Sequence, residues 1–433
     1  MRLALLAAAA LAATPAAAAL TPAELRMAAT INAEQGRTLA LLERLVNQNS
    51  GSQNIAGVEA VGRMVRAELE PLGFDVRFIP LRETGRAGHL VATHRGRAGT
   101  KRILLIGHLD TVFEPDSPFQ KFVREGDFGH GPGAADDKGG DVVIIAALRA
   151  MQAAGTLKNA NITVVMTGDE EDPGTPLSLA RRDLIAAGKA ADVDLDFEGL
   201  VRENGQDMGS ISRRSVTDWT LTVHARPGHS SGVGSSSYGA NYELIRILDQ
   251  FRRELREPNL TYNVGLIAGG QSATLDAGKI RAEVAGKTNI IAAEAVARGD
   301  LRALSNEQIA QTKQRMQQIV DQGRLAGVTG VELAFEDGYP PMAPTPGNQR
   351  VLDRLNGVNA DLGLPAMPAL DPVKRGAGDI SFVAADVDGL AGLGPSSSGD
   401  HTPAERVDLP SLWPQATRAA ILISRLSSER RAR

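Results

Sequence analysis

An uninterrupted apolar run, Ile-Leu-Leu-Ile at residues 103–106, constrains the fold of this chain more than any other feature. A strand of this kind must be covered on both of its faces, which is typical of the sheets of α/β proteins. Helix-like patterns at residues 58–72 and 141–152 lie before and after it, and a further strand is predicted at residues 162–166. This alternation predicts an α/β fold with right-handed crossovers and helices on both faces of the sheet.

Metal-compatible side chains follow the predicted strands. Histidine and carboxylate residues come just after residues 102–106, 162–166 and 193–197, and others lie elsewhere in the chain. In chain order, the set is His108, Asp110, Asp136, Glu170, Glu171, Glu198 and His401. Because ligands collect at the carboxyl ends of strands in such sheets, we expect these side chains to meet there. Two divalent cations need a bridging carboxylate, a His and a carboxylate each, and a free carboxylate for a water proton, and this set supplies them all.

The pattern changes near residue 212. Trp219 and Leu221 alternate with Thr residues, as in a strand with one solvated face. The predicted order over residues 212–340 is strand, helix, strand, strand, helix, strand, which is that of a ferredoxin-like sandwich. We therefore expect a catalytic domain in two parts, residues 20–211 and 341–433, with an inserted α+β domain between them.

Several elements are predicted from periodicity alone. Residues 23–45 have the pattern of one helix, and the last helix includes residues 421–426. Within the inserted domain, the expected helices are residues 241–253 and a segment that follows the capping box at Ser305, and the expected later strands are residues 260–267, 288–297 and 331–335.

Composition limits the cellular context. Residues 1–19 have a basic Arg2, an apolar stretch and a run of alanines, which together predict a secretory signal peptide. The chain has no cysteine, which excludes disulfides and thiolate metal sites and fits a periplasmic or secreted bacterial enzyme. Any transition-metal site must then be built from histidines and carboxylates.

The charge balance limits the partners. The chain has 47 Lys and Arg against 51 Asp and Glu, a formal net charge of −4. This balance argues against nucleic-acid binding, and no stretch is long enough to span a membrane, so no membrane association is expected once the signal peptide is removed. A small substrate is therefore predicted.

Four motifs carry a resemblance to a known family. They are His108-Leu109-Asp110-Thr111-Val112, the Gly-rich residues 131–140 that contain Asp136-Asp137, Gly168-Asp169-Glu170-Glu171, and Asp400-His401-Thr402-Pro403-Ala404-Glu405. In this order they resemble the co-catalytic zinc exopeptidases of the glutamate carboxypeptidase and aminoacylase family. The resemblance covers essentially the whole mature chain and implies a mixed-sheet catalytic domain, an inserted dimerisation or lid domain, and a homodimer.

The resemblance also implies a ligand set. Asp136 would bridge two Zn²⁺ ions, His108 and Glu198 would hold one of them, and Glu171 and His401 would hold the other. The donor types agree with this, and they also suit Mn²⁺ or Co²⁺.

Two residues are expected to assist the metals. Glu170 is the candidate general base, because a carboxylate beside a ligand carboxylate can take a proton from water and pass it to the leaving amine. Asp110, two residues from His108, is expected to orient that imidazole, although it could instead cap a turn.

Two ligand positions have competitors nearby. On spacing alone, Asp137 could replace Asp136 as the bridge, but the family pattern favours Asp136, with a cis peptide between the two. If residues 192–198 are extended, Glu198 shares one face with Asp192, Asp194 and Asp196. We choose Glu198 because it lies at the end of the predicted strand.

Four further residues are assigned to substrate binding by the resemblance. A His at the position of His229 reaches the active site in the family, often that of the partner subunit, and donates to the oxyanion. Asn289 and Arg302 would grip the substrate carboxylate, and Gly376 would line the pocket with its backbone. Locally, His229 is also compatible with a polar turn and Arg302 with a surface charge, and the usual Gly-Gly doublet is absent at Gly376.

These observations predict a secreted dizinc exopeptidase, similar to a glutamate carboxypeptidase, that cuts an amide bond next to a free carboxylate. An N-acyl amino-acid deacylase with the same mechanism is the alternative, so the substrate is a small peptide or an N-acyl amino acid. A metal-dependent binding protein without catalysis is the third possibility, but it would have no need of Glu170.

Overall fold

The computed structural model describes residues 20–431, so the expected signal peptide lies outside the described residues. The larger sheet has six strands, parallel on one side and antiparallel on the other. In spatial order they are Asp75–Pro80, Gly88–His94, Asn161–Thr167, Arg102–His108, Val193–Asp196 and Gly389–Leu390. The α/β class expected from the sequence is confirmed.

Both faces of the central strand are covered. Ile103 and Leu105 enter one hydrophobic cluster, whereas Leu104 and Ile106 enter another on the opposite face. The helices of the first face are Pro22–Ala33, Gln35–Asn47, Ile55–Leu69, Lys138–Ala153, Pro346–Asp361 and Leu412–Ser428. The helix Arg182–Ala190 packs on the second face. Because full burial of one aliphatic side chain contributes about 1.5–3 kcal/mol, this strand holds the two layers together.

The N-terminal helical region differs from the prediction. Residues 23–45 were expected to form one helix, but the structure has Pro22–Ala33 and Gln35–Asn47, with a break at Glu34 (φ −98°, ψ 11°). The break lies in a polar segment that includes Gly36, and glycine disfavours helix propagation.

A second sheet is built from residues 217–337. Its strands are Val328–Asp337, Thr217–Ala225, Glu294–Arg302 and, beside the last of these, Thr261–Tyr262 and Leu266–Gly270. The helices Ala240–Glu254 and Asn306–Asp321 cover one face, and Trp219 and Leu221 are buried beneath them. This layer of helices on an antiparallel sheet matches the α+β fold expected for this part of the chain.

Two strands of this sheet lie elsewhere than predicted. Residues 260–267 form two short strands, and the strand expected at residues 288–297 runs instead over Glu294–Arg302. The sequence pattern missed an intervening hairpin, Ser272–Leu275 with Ala282–Ala285, because its side chains are mostly exposed and show little apolar alternation.

A small sheet joins distant parts of the larger domain. Phe128–His130 pairs with Arg406–Asp408, which also pairs with Ser397–Ser398. The pairing brings the Gly-rich segment that contains Asp136 against the loop that contains His401.

In the part of the chain from residue 20 to residue 431, we find no helix long and apolar enough to cross a membrane.

Candidate metal centre

The predicted ligands converge at one edge of the larger sheet. His108 is the last residue of the central strand, and the strands on its two sides run parallel to it. Glu170 and Glu171 follow one of these neighbours, Asn161–Thr167, and Glu198 follows the other, Val193–Asp196. Parallel strands end at the same edge, which is why residues separated by up to 90 positions become neighbours.

Asp136 lies between two imidazoles. Its Oδ1 is 3.0 Å from Nε2 of His108, and its Oδ2 is 3.1 Å from Nε2 of His401. Nε2 of His401 also lies 3.2 Å from Oε2 of Glu171. Each oxygen of Asp136 therefore faces a different histidine, which is the arrangement that a bridging carboxylate requires.

The neighbouring Asp137 has different surroundings. Its side chain is fully buried, and neither oxygen has a hydrogen-bond partner among residues 20–431. The peptide bond between Asp136 and Asp137 is cis. The geometry thus places Asp136, and not Asp137, between the two imidazoles.

Asp110 connects two of the strand ends. Its carboxylate accepts hydrogen bonds from the backbone N–H groups of Glu170 and Glu171, at 3.0 and 3.1 Å, and from the hydroxyl of Ser52 at 2.6 Å. Nδ1 of His108 lies 3.2 Å from the Asp110 carbonyl oxygen and 3.4 Å from Oδ1. Asp110 therefore orients both the imidazole and the two glutamates.

Electrostatics favour a cation at this position. Burial opposes the charge of Asp136, but hydrogen bonds from His108 and His401 outweigh it and hold the pKa of this carboxyl well below its ordinary value. Hydrogen bonds to Asp136 and Glu171 raise the pKa of His401 to about 11. A proton on the imidazole here stands where a metal would bind, because the same lone pair serves both.

The donor set fits a divalent metal. One ligand atom each from His108, Asp136 and Glu171 lie within 4.8 Å of one another. Imidazole and carboxylate donors at this separation suit Zn²⁺, and also Mn²⁺ or Co²⁺. His401 adds a fourth donor, and its backbone has φ +63°, a left-handed conformation that costs on the order of 1 kcal/mol in a non-glycine residue.

Glu170 has the environment of a proton acceptor. It lines the same cavity as Asp136 and Glu171. Burial raises the pKa of Glu170 well above its ordinary value, and the charge of Glu198 adds to the effect. A carboxyl group whose pKa is raised holds a proton more readily than an ordinary glutamate does, which suits it to accept a proton from water.

Glu198 is held by two arginines. Its Oε2 forms an ion pair with Nη1 of Arg213 at 2.6 Å and accepts a hydrogen bond from Nη2 of Arg375 at 3.0 Å. Glu198 lines the cavity. Among the described residues, the three acidic competitors for its ligand position do not line it. They are Asp192, Asp194 and Asp196.

Several cavity residues were missed by sequence reasoning. The cavity has a volume of about 250 Å³, and besides the expected acids and the motif residue Asp400 it is lined by Arg213, Lys374 and Arg375. The local signals were weak, because Arg213 lies at a predicted domain boundary and Lys374 and Arg375 precede Gly376 without a motif. Gly376 also lines the cavity.

The substrate-binding residues expected in the second sheet lie farther away. His229 is exposed, and its Nδ1 is 2.9 Å from Oγ of Ser231. The carbonyl oxygen of Asn289 accepts a hydrogen bond from the N–H of Ser230, so Asn289 and His229 are neighbours. Within residues 20–431, neither lines the cavity.

Arg302 lies closer to the cavity. Its Nε donates to Asp300 at 2.8 Å, and its Nη1 is 3.8 Å from the position that a Cβ on Gly376 would occupy. The guanidinium therefore reaches the loop that forms one wall of the cavity.

The fold and this arrangement of imidazoles and carboxylates define the protein as a metal-dependent hydrolase of the α/β class. Residues 104–425 match the sequence pattern of the peptidase family M20/M25/M40. The chain therefore belongs to that family, which confirms the resemblance carried by its motifs.

Several individual proteins are similar to this chain in sequence or in fold. Carboxypeptidase G2 from Pseudomonas sp. (strain RS-16) is 27% identical over 405 residues, which cover 91% of this chain and 90% of that protein. A succinyl-diaminopimelate desuccinylase from Novosphingobium aromaticivorans is 32% identical over 199 residues, covering 44% of this chain and 51% of that protein. The crystal structure of a tripeptidase from Staphylococcus aureus shares the fold, with a TM-score of 0.74, 19% identity, and coverage of 91% of this chain and 99% of that one.

Proposed function

We propose that this chain is a secreted dizinc hydrolase that cleaves an amide bond next to a free carboxylate. One observation carries the proposal: the Asp136 carboxylate lies between the imidazoles of His108 and His401, with Glu170 in the same cavity. An N-acyl amino-acid deacylase is the second candidate, since the similar proteins include one named as a carboxypeptidase and others named as desuccinylases. Both activities need the same chemistry.

The metals would be held by this chain's own side chains. Asp136 would bridge them, His108 and Glu198 would hold one, and Glu171 and His401 would hold the other. When bound, two divalent cations supply a polarised carbonyl group and a water molecule of lowered pKa.

The proton transfers belong to Glu170. It accepts a proton from the attacking water and returns it to the leaving nitrogen, so that a C–O bond forms, the C–N bond breaks, and a carboxylate and a free amine result. Asp110 supports this step because it holds the backbone N–H groups of Glu170 and Glu171.

Cationic side chains favour an anionic group on the substrate. All three nitrogens of Arg213 are already engaged, since they donate to Asp196 and to the carbonyl groups of Gly376 and Ala377, and Nη1 also forms an ion pair with Glu198. Arg375 retains donor capacity, because its Nε is buried and has no hydrogen-bond partner in the described part of the chain.

The guanidinium of Arg302 lies close to Gly376, which forms part of the cavity wall. A planar guanidinium binds a carboxylate through two hydrogen bonds, so Arg302 remains the proposed binder of the substrate carboxylate. Asn289 lies beside His229 and outside the cavity among the described residues, so it would contribute to this role from the partner subunit, as proposed for His229.

A panel of substrates tests this function. With added Zn²⁺, we expect hydrolysis of at least one class among C-terminal glutamate peptides, dipeptides, folate-like amides and N-acetyl amino acids. Turnover should stop on chelation and return with metal. Equal rates on a substrate whose free carboxylate is capped as an amide would contradict the proposed recognition. Calorimetric binding without any hydrolysis would favour the non-catalytic binding protein.

Secretion and the dimer also remain proposals. The leader-like residues 1–19 and the absence of cysteine support a periplasmic or secreted protein. The N-terminal residue of protein recovered from the periplasm tests this, and an uncleaved Met1 would contradict it.

A second copy of the chain is the proposed occupant of an apolar surface on the second sheet. Ile245 on the helix Ala240–Glu254 and Ile267 on the strand Leu266–Gly270 each expose 62% of their area, and that strand lies at the edge of the sheet. His229 does not line the cavity of its own subunit among the described residues, which supports its action on the partner subunit.

Disrupting this surface should separate the subunits. We expect the double variant Ile245→Glu, Ile267→Glu to sediment as a monomer and to lose about 10²–10³-fold in kcat, the usual effect of losing one oxyanion donor, with metal content unchanged. The matched control is Leu25→Glu, since Leu25 is similarly exposed on the first helix. A monomeric parent protein of full activity would contradict the use of His229 in trans.

A further inference from the structure

A fully buried arginine lies behind Glu170. Nη1 of Arg181 donates to Oδ1 of Asp169 at 2.6 Å, and its Nε donates to Oδ1 of Asp379 at 2.8 Å. Its Nη2 donates to the hydroxyl of Tyr339 at 2.7 Å and to the Asp169 carbonyl at 2.9 Å. Buried charges persist only when they are paired in this way, so Arg181 ties three distant segments of the chain together.

Tyr339 extends this network to Glu170. Its hydroxyl oxygen lies 2.6 Å from the backbone carbonyl oxygen of Glu170. A guanidinium can only donate, so the hydroxyl accepts from Arg181 and its single hydrogen is free to donate to the Glu170 carbonyl. The Tyr339 ring packs edge-on against the Phe382 ring, with 4.8 Å between the ring centroids, and the Arg181 guanidinium lies over its face. These two contacts fix the direction in which the hydroxyl points.

Tyr339 lies in one of the two chain segments that connect the sheets. It follows the strand Val328–Asp337, and its carbonyl accepts a hydrogen bond from the N–H of Val216 in the other connecting segment. Arg213 belongs to that second segment and is bonded to Met342 through both backbone groups.

The side chains of both connecting segments reach the catalytic edge. Tyr339 holds the backbone of Glu170, and Arg213 holds the carboxylate of Glu198. The junction between the sheets is therefore in direct contact with two of the glutamates of the cavity.

We propose that Tyr339, supported by Arg181, is a positioning residue that holds the backbone of Glu170 and couples its placement to the junction between the two sheets. The proposal rests on the proposed function in that Glu170 is taken as the general base. Proton transfer requires the base to lie within hydrogen-bond reach of its partner atoms, so a shift of the Glu170 backbone reduces the rate without removing any catalytic group.

The variant Tyr339→Phe removes only the hydroxyl. We expect kcat on an amide substrate to fall by about tenfold, because misplacing a reacting group by about 1 Å costs about 100-fold and the loss of one hydroxyl should shift the backbone by less. KM and metal content should stay within about twofold of the parent values. The matched control is Tyr262→Phe, since the Tyr262 hydroxyl is buried in the second sheet's core and has no hydrogen-bond partner among residues 20–431. The control should match the parent in kcat.

An ester of the same acyl group gives a second readout. Its alcohol leaving group needs less help from a proton donor than an amine does, so Tyr339→Phe should lower kcat less on the ester than on the amide. This ratio does not depend on the fraction of folded protein in the sample, because both rates are measured on the same preparation.

Three outcomes overturn the positioning role. They are a kcat equal to that of the parent, equal losses on ester and amide, and a loss explained by missing metal. If Glu170→Gln is inactive while Tyr339→Phe behaves as the parent, the positioning role alone fails. If Glu170→Gln keeps the parent rate, the proposed function itself fails.

Discussion

Replacing Glu170 by Gln should reduce kcat by about 10²–10⁴-fold, which is the usual contribution of a general base. An amide of the same shape cannot accept the proton of the attacking water or return it to the leaving nitrogen. The proposed ligand atoms of Asp136, Glu171 and His401 are untouched, so the variant should retain about two metals per chain. Steady-state kinetics and metal analysis on the same preparation measure both quantities.

A neighbouring residue provides the control for this change. Asp172 is two positions along the chain, half-exposed, and engaged with Arg86 and Gln53 outside the cavity. The variant Asp172→Asn removes a comparable charge and should leave kcat close to the parent value. Hydrolysis by Glu170→Gln at the parent rate would show that another group moves the proton.

Replacing Arg181 by Met should destabilise the fold by about 3–5 kcal/mol, the range measured when one partner of a buried ion pair is removed. The carboxylates of Asp169 and Asp379 would remain buried without their cation, and the hydroxyl of Tyr339 would lose a donor. The expected readout is a lower midpoint of urea unfolding, with the slope of the transition unchanged.

The adjacent Arg182 is the control for Arg181. Arg182 is exposed, and in the described part of the chain its only ion pair is with the neighbouring Asp183. Exposed ion pairs contribute little, so Arg182→Met should leave the unfolding midpoint almost unchanged. Equal midpoints for the two variants would mean that the network around Arg181 is not a stabilising one.

Much of the fold could be predicted because the signals are local. The run at residues 103–106 predicts a strand covered on both faces, and the structure places Leu104 and Leu105 in different hydrophobic clusters. The errors occurred where the local signal was weak or mixed. A polar segment around Gly36 breaks the first predicted helix. The strand predicted at residues 288–297 lies at Glu294–Arg302, after an exposed hairpin that the sequence pattern did not indicate.

The candidate site was predictable in its chemistry and less so in its contacts. The motifs identified Asp136 and His401 as candidate metal ligands, and the structure places these two side chains in contact. Sequence reasoning did not find Arg375 or Tyr339, because a lone cation or tyrosine has no spacing pattern. Their importance arises from partners more than 150 positions away.

The order of residues along the chain thus specifies which donors are present and, through strand periodicity, that they follow strands. Which oxygen faces which imidazole depends on the packing of parallel strands and on the pairing of Phe128–His130 with Arg406–Asp408. Three-dimensional packing also decides which arginines contact Glu198 and Asp169. A buried charge must be neutralised by whatever the fold brings near it, and that neighbour is chosen by three-dimensional packing, which local sequence patterns do not encode.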